Sequence, residues 1–241
     1  MKTMAIYFIA TSNYKQGFEH FKRNLHLLYP DIKKTVVVLS DGLEEWDGVV
    51  ENGITYRVFH IEHYVYPIIM LFKMKHILDH KIDCDYVAYF NGDLQVNPDF
   101  DFYQIDKLID LSKFNTTRHA WRCGEIEVFD SYLFDKMFLN KNSVAYIDGL
   151  YAYAQSAFFI GPSEIVFKMC QDVHRMTELD LRKNIIPSYH DESYMNRWIQ
   201  DNKDSGNIVY PPLKIIDIHA GAEWPLIIVK TFEKDRWIEL K

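Results

Sequence analysis

Cysteine is scarce in this chain, glycine-rich phosphate motifs are absent, and neither a long apolar run nor an excess of positive charge occurs. Cys84, Cys123 and Cys170 are widely separated and no Cys-x-x-Cys pair exists. That argues against a disulfide framework and against a zinc site, and predicts buried thiols in a reducing compartment. Gly-x-Gly-x-x-Gly does not follow the first strand-like run, and Gly-x-x-x-x-Gly-Lys occurs nowhere. A dinucleotide-binding fold and a P-loop NTPase are therefore both disfavoured. The opening run Met4 to Ala10 is too short for a signal segment, and nothing later reaches the roughly 18 apolar residues of a membrane span. The expectation is a cytoplasmic chain with no membrane span. With a formal charge of −7 and no basic patch, a nucleic-acid partner is disfavoured as well.

What is present is an ordinary soluble composition over 241 residues, 48% hydrophobic and 25% charged, with 16 Tyr and 16 Phe. That length can bury a substantial core. Flat rings in this number serve packing, and they also serve sugar-binding and base-stacking surfaces. Apolar β-branched runs predict strands at Met4–Ala10, Thr35–Leu39, Ile54–Phe59 and Tyr86–Phe90. Helical spacing of Phe18, Phe21, Leu25 and Leu28 predicts a helix from Tyr14 to Tyr29, ended by Pro30. A second helix is expected from Pro67 to His80. This rhythm predicts an α/β fold with a mostly parallel central sheet flanked by helices. Residues 113–150 show no clean period. Beyond them the sequence predicts a strand over Tyr151–Gly161 and a helix from Ser163 to about Met176. A helix over Ser188–Gln200 and late strands at Val209–Ile218 and Leu226–Lys230 complete the reading. No repeat, linker or low-complexity tract interrupts it, so a single domain spanning 1–241 is the simplest partition.

Two clusters carry candidate chemistry. The Tyr86–Phe90 strand stops at Asn91-Gly92-Asp93, and in open α/β sheets ligands bind beyond the carboxyl ends of strands. A carboxylate there can hold a divalent cation, which in turn can hold a diphosphate. Asn-Gly is also a hairpin-turn signal. The second cluster is Pro187-Ser188-Tyr189-His190-Asp191-Glu192-Ser193. Acids at a helix start also have a simple purpose, since they offset the positive helix terminus. His60-Ile61-Glu62-His63 fits no zinc spacing.

The segment Ile185–Asn202, IIPSYHDESYMNRWIQDN, resembles the His-Asp-Glu-Ser block of glycosyltransferase family 6, which includes the histo-blood-group A and B transferases, the alpha-1,3-galactosyltransferases and short bacterial relatives. Supporting likenesses run through almost the whole chain, at the first strand with Tyr14, Phe72-Lys73-Met74, Asp85–Leu94, Thr117-Arg118-His119, Ala145-Tyr146-Ile147 and Tyr153–Gly161. The resemblance implies a single-domain GT-A type fold. It also implies retaining transfer of galactose or N-acetylgalactosamine from a UDP-sugar to a galactose-containing acceptor in alpha-1,3 linkage. By the same resemblance, Tyr14 stacks on uracil, and Lys73, Lys230 and Lys234 neutralise the diphosphate. Asn91, Asp93, Gln155, Ser156, Ala157 and Asp191 complete the donor site. Glu192 is the catalytic carboxylate beneath the anomeric carbon, and His119, Tyr189 and Glu192 meet the acceptor.

Two departures from the family pattern bear on this. Asn91-Gly92-Asp93 replaces Asp-x-Asp, which leaves Asp93 as the candidate metal ligand and weakens the case for Mn²⁺. Ser156-Ala157 replaces a glycine pair, which favours galactose over its bulkier N-acetylated form. Asp217-Ile218-His219-Ala220-Gly221 is similar to the His-x-x-Gly element of family 8 retaining transferases, which would make His219 a metal ligand beside Asp93. A sugar- or nucleotide-binding protein that has lost catalysis is the rival from another class.

Overall fold

A computed structural model describes residues 1–64, 68–118, 140–148, 152–187, 189–210, 216–217 and 226–229. Its centre is a seven-stranded sheet. The strands are β1 (Thr3–Ala10), β2 (Lys33–Ser40), β3 (Val50–Glu51), β4 (Ile54–His60), β5 (Tyr86–Phe90), β7 (Asn115–Arg118) and β8 (Ala154–Pro162), in the order β3-β4-β2-β1-β5-β8-β7. β4, β2, β1 and β5 are mutually parallel, and β3, β8 and β7 add antiparallel pairings at the two flanks. The expected α/β class holds, with a mixed sheet whose parallel part lies at its centre. A second sheet joins β6 (Leu94–Val96) to β10 (Ile227–Val229) and β9 (Ile216–Asp217).

Strand β1 reads as unbroken apolar sequence because both of its faces are covered. Met4, Ile6 and Phe8 join Val36, Val38, Ala88 and Phe90 on one face, packed against Phe18 and Phe21. Ala5, Tyr7 and Ile9 join Val37, Leu39, Val87 and Tyr89 on the other. That second face is covered by α3 (Lys73–Asp79), α5 (Ser163–Leu181) and α6 (His190–Asn202). Among the described residues, no helix is long and apolar enough to cross a membrane. Cys170 is buried, and burial pushes its thiol up to about 12, whereas Cys84 is only partly covered.

Several elements depart from the sequence expectation. The Tyr14–Tyr29 helix is broken into 3₁₀ turns at Ser12–Gly17 and Leu25–Leu27 around a short α1 (Phe18–Lys22). Asn24 ends it by donating its side-chain amide to Val96 O at 3.0 Å, a tertiary bond that local periodicity does not report. The next helix divides at Phe72 (φ −93°, ψ 0°) into α2 (Ile68–Leu71) and α3, and Pro67 lies outside the described residues. The helix from Ser163 runs past Met176 to Leu181, and the helix expected from Ser188 begins at His190, with Ser188 outside the described residues. Of the strand expected over Val209–Ile218, only Ile216–Asp217 is a strand among the described residues. β7 was hidden because its buried side chains are polar. Asn115 donates its amide to the carbonyls of Asp110 and Lys113, both at 2.7 Å.

A buried carboxylate ties residues 143–144 to the helices. Asp180, fully covered, accepts from Ser143 Oγ, from Val144 N at 3.0 Å and from Tyr194 Oη at 3.2 Å. Replacing Asp180 by Ala leaves those donors unpaired, so urea unfolding is expected to show a loss of about 3 kcal/mol.

Candidate active site

The sheet sets the location. From β1 the chain proceeds to β2 and β4 on one side and to β5 on the other, so the direction of strand addition reverses between β1 and β5. In α/β sheets such a reversal opens a crevice at the carboxyl ends. Here Tyr14 and Asn91-Gly92-Asp93 meet at that edge. A Cβ on Gly92 would lie 2.5 Å from Tyr14 Cδ1, so only glycine admits the ring at this distance. The turn is not a hairpin. Leu94 N donates to Asn91 O at 3.0 Å, but the following β6 leaves the central sheet for the second one.

Facing this turn is an irregularity in β8. Thr116 pairs with Phe159, yet the next residue, Thr117, pairs with Gln155. Ser156, Ala157 and Phe158 thus bulge out of register with β7, and the buried Thr116 hydroxyl spans the bulge to Gln155 O and Phe158 O at 3.1 and 3.0 Å. Bulges re-aim side chains and are frequent beside active sites. This one connects both sequence clusters. Ala157 O accepts from Asn91 N at 2.8 Å, while Ser156 N donates to Glu192 Oε2 at 3.0 Å. The other carboxylate oxygen, Glu192 Oε1, accepts from Tyr153 Oη at 2.5 Å.

Lys73 lies beneath the bulge. It is fully buried, and its ammonium contacts Asp191 Oδ2 at 2.5 Å, Ser156 O at 2.9 Å and Ser156 Oγ at 3.1 Å. The ammonium donates to the two Ser156 oxygens, and the Asp191 carboxylate lies beside it as the opposite charge. It also lies 4.6 Å from the centroid of the Tyr89 ring. The role expected for Lys73, neutralising a diphosphate, does not suit an ammonium so engaged. Its geometry is that of an internal cation joining α3, β8 and α6. Tyr89 in turn donates to Asn91 Oδ1 at 2.8 Å. Burial raises the Tyr89 phenol far above its ordinary value, with the nearby charges of Asp191 and Asp93 adding to the effect.

The start of α6 is locally constrained. His190 takes φ +49°, and Tyr189 N donates to Ser193 Oγ at 3.2 Å. Asn196, fully buried, accepts from Ala154 N and donates to Ala154 O, each at 2.8 Å, and also donates to Glu192 O at 2.8 Å. This amide fixes the helix to β8 one turn beyond Glu192. Burial lowers the His190 imidazole below its ordinary value, with Asp191 opposing the shift. Asp191 is only 3% exposed, so it is not merely a solvated acid at a helix terminus.

Tyr14, Asn91, Asp93, Gln155, Ser156, Ala157, Tyr189, Asp191 and Glu192 lie at this edge or on the part of β8 and the helix start beside it, with Lys73 beneath them on α3. Gln155 Oε1 is buried with no hydrogen-bond partner among the described residues. His119, Lys230, Lys234 and His219 lie outside the described residues. Tyr153, Tyr89 and Asn196 were not singled out in the sequence, since each acts through a tertiary hydrogen bond. No group of three or more metal-ligating His, Cys, Asp or Glu side chains occurs among the described residues. In the His60-Ile61-Glu62-His63 run, His60 is exposed beside Glu44 at 3.6 Å.

In an α/β sheet the crevice beyond the strand ends at such a reversal is where a ligand binds. The chain is 23% identical, over 249 aligned residues, to the O-antigen biosynthesis glycosyltransferase WbnI of Escherichia coli, with 96% of each chain covered. No family model matches the chain. The end-to-end relation supports a glycosyltransferase role.

The ion pair is directly testable. Lys73→Met strands the Asp191 charge in a buried setting, so denaturant melts are expected to show a loss of about 3–5 kcal/mol. Adding Asp191→Asn to that variant should recover part of the loss.

Proposed function

We propose that the chain is a retaining glycosyltransferase of the GT-A type, a single catalytic domain over residues 1–241. It moves galactose or N-acetylgalactosamine from a UDP-sugar to a galactose-containing acceptor in alpha-1,3 linkage, as the family 6 likeness of the His-Asp-Glu-Ser block implies. The observation that carries this reading is the Glu192 carboxylate, held at one oxygen by Tyr153 and at the other by Ser156 of the bulge, whose next residue bonds Asn91. A carboxylate so fixed supplies negative charge where positive charge develops on a sugar ring. As the bond from the anomeric carbon to the diphosphate oxygen breaks, its electron pair leaves with UDP and Glu192 meets the carbon from the opposite face. The acceptor hydroxyl then bonds to the carbon on the face UDP has left, freeing Glu192, and its proton passes to the departing diphosphate oxygen.

Other residues have supporting roles in this scheme. Tyr14, packed against Gly92 at the sheet reversal, offers a ring for uracil. Asp191, paired with Lys73, accepts from hydroxyls of the transferred sugar, and Gln155 is a further acceptor for one. By the family likeness Tyr189 and His119 serve the acceptor, and Lys230 and Lys234 serve the diphosphate. Ser156, whose hydroxyl is tied to Lys73, stands with Ala157 where the family has glycines, which favours galactose as the transferred sugar.

A divalent cation such as Mn²⁺ would be held by Asp93 together with diphosphate oxygens, and when bound it neutralises charge on the leaving group. Asn91 is a neutral ligand with one lone pair of Oδ1 already engaged by Tyr89, so a cation here is weakly held. EDTA is accordingly expected to strip the cation readily, and activity to return only as added Mn²⁺ approaches roughly millimolar concentration. Activity unchanged by EDTA would remove the cation from the assignment.

The decisive experiment follows UDP release from UDP-galactose and UDP-N-acetylgalactosamine with lactose and fucosylated galactosides as acceptors. Glu192→Gln is expected to reduce transfer by roughly three orders of magnitude or more while UDP affinity, measured by calorimetry, stays nearly unchanged. Full activity in that variant would remove Glu192 from the reaction.

A further inference from the structure

Glu192 is not held by backbone alone. Its shortest contact is the phenol of Tyr153, 2.5 Å from Oε1, a length characteristic of a hydroxyl donating to an ionised oxygen. Tyr153 itself is 1% exposed and is fixed by the Tyr189 ring, whose centroid is 6.1 Å away at an interplanar angle of 80°. The residue after it, Ala154, is locked to Asn196, which also holds the Glu192 carbonyl. The phenol therefore cannot drift from the carboxylate without breaking the junction of β8 and α6.

We propose that Tyr153 is the positioning residue for Glu192, fixing the direction of its carboxylate through the phenol proton. This rests on the reading of Glu192 as the carboxylate that meets the transferred sugar. A glutamate side chain has three rotatable bonds, and the Ser156 N–H holds one carboxylate oxygen. The phenol, donating to the other oxygen, helps to fix the plane in which the carboxylate faces the anomeric carbon. The charged and titratable groups near it among the described residues are Asp191, His190, Tyr189 and Glu192 itself at the helix start. From α3 comes Lys73, whose charge is paired with Asp191.

The test uses the full chain with a UDP-sugar donor and acceptor. Tyr153→Phe keeps the ring and removes the donor. It is expected to lower kcat about 100-fold, the loss that misplacing a reacting group by about 1 Å brings, while KM for the donor stays within about threefold. In a Glu192→Gln background the same change should cost nothing further, because its effect passes through the carboxylate. Should Tyr153→Phe fail to fold, 3,5-difluorotyrosine at position 153 keeps the shape and makes the phenol more acidic. An ionised ring cannot donate and repels Glu192, so kcat is expected to fall with rising pH across a range where the unmodified protein is flat. Wild-type kcat in Tyr153→Phe, additive losses in the double variant, or an unshifted pH profile with the fluorinated ring would overturn the role of Tyr153. Those results would leave an inactive Glu192→Gln, and the reading of Glu192, intact. A fully active Glu192→Gln would instead remove both.

Discussion

The arrangement depends on a single buried cation. Lys73 sits where three elements from distant parts of the chain meet, and its ammonium has no water to solvate it. Desolvating such a charge costs several kcal/mol unless it is paired and hydrogen-bonded. Asp191 supplies the opposite charge, and Ser156 supplies two more oxygens. Because the cation must have all of these, the start of α6 cannot move independently of the β8 bulge. Glu192 follows Asp191 directly and inherits that constraint. The bulge then passes it to Asn91 through Ala157, so both clusters share one frame.

The bulge explains how a strand with a largely apolar second half can still present polar groups. Further along, β8 pairs with β5 and buries Phe158, Phe159 and Ile160. At Ser156 and Ala157 its backbone groups are out of register with β7 and turn to Glu192, Lys73 and Asn91. An uninterrupted ladder would have used those groups internally. The irregularity converts ordinary sheet backbone into hydrogen-bonding equipment for a site.

Much of the centre was legible in the sequence because burial on both faces leaves an unmistakable signature. The four parallel strands and the helices from Ser163 and His190 follow from apolar runs and helical spacing. The location beyond β5 follows from the abrupt end of Tyr86–Phe90 at polar residues. What stayed hidden was decided by tertiary bonds. β7 is stabilised by buried polar side chains, α1 is cut short by the bond from Asn24 to Val96, and the glycine at position 92 answers to the Tyr14 ring rather than to a turn. Tyr153 and Asn196 lie within the family-like segments, but their parts there are fixed by bonds to another element, which no local pattern reports. Lys73 shows the same limit from the other direction. The family likeness implied a phosphate ligand, and the structure buries its ammonium against Asp191 and Ser156.

The loop bearing Asp93 is suspended between two sheets. β5 anchors one end in the central sheet, and β6 anchors the other against β10, far along the chain. Residues near the C-terminal end thereby help to set the shape of a turn more than a hundred positions earlier. A shortened version lacking everything from Ile216 onward would strip β6 of its partner and expose an unsatisfied strand edge, inviting self-association. Engineering aimed at the tail would therefore reach the mouth of the crevice, whatever the distance in sequence.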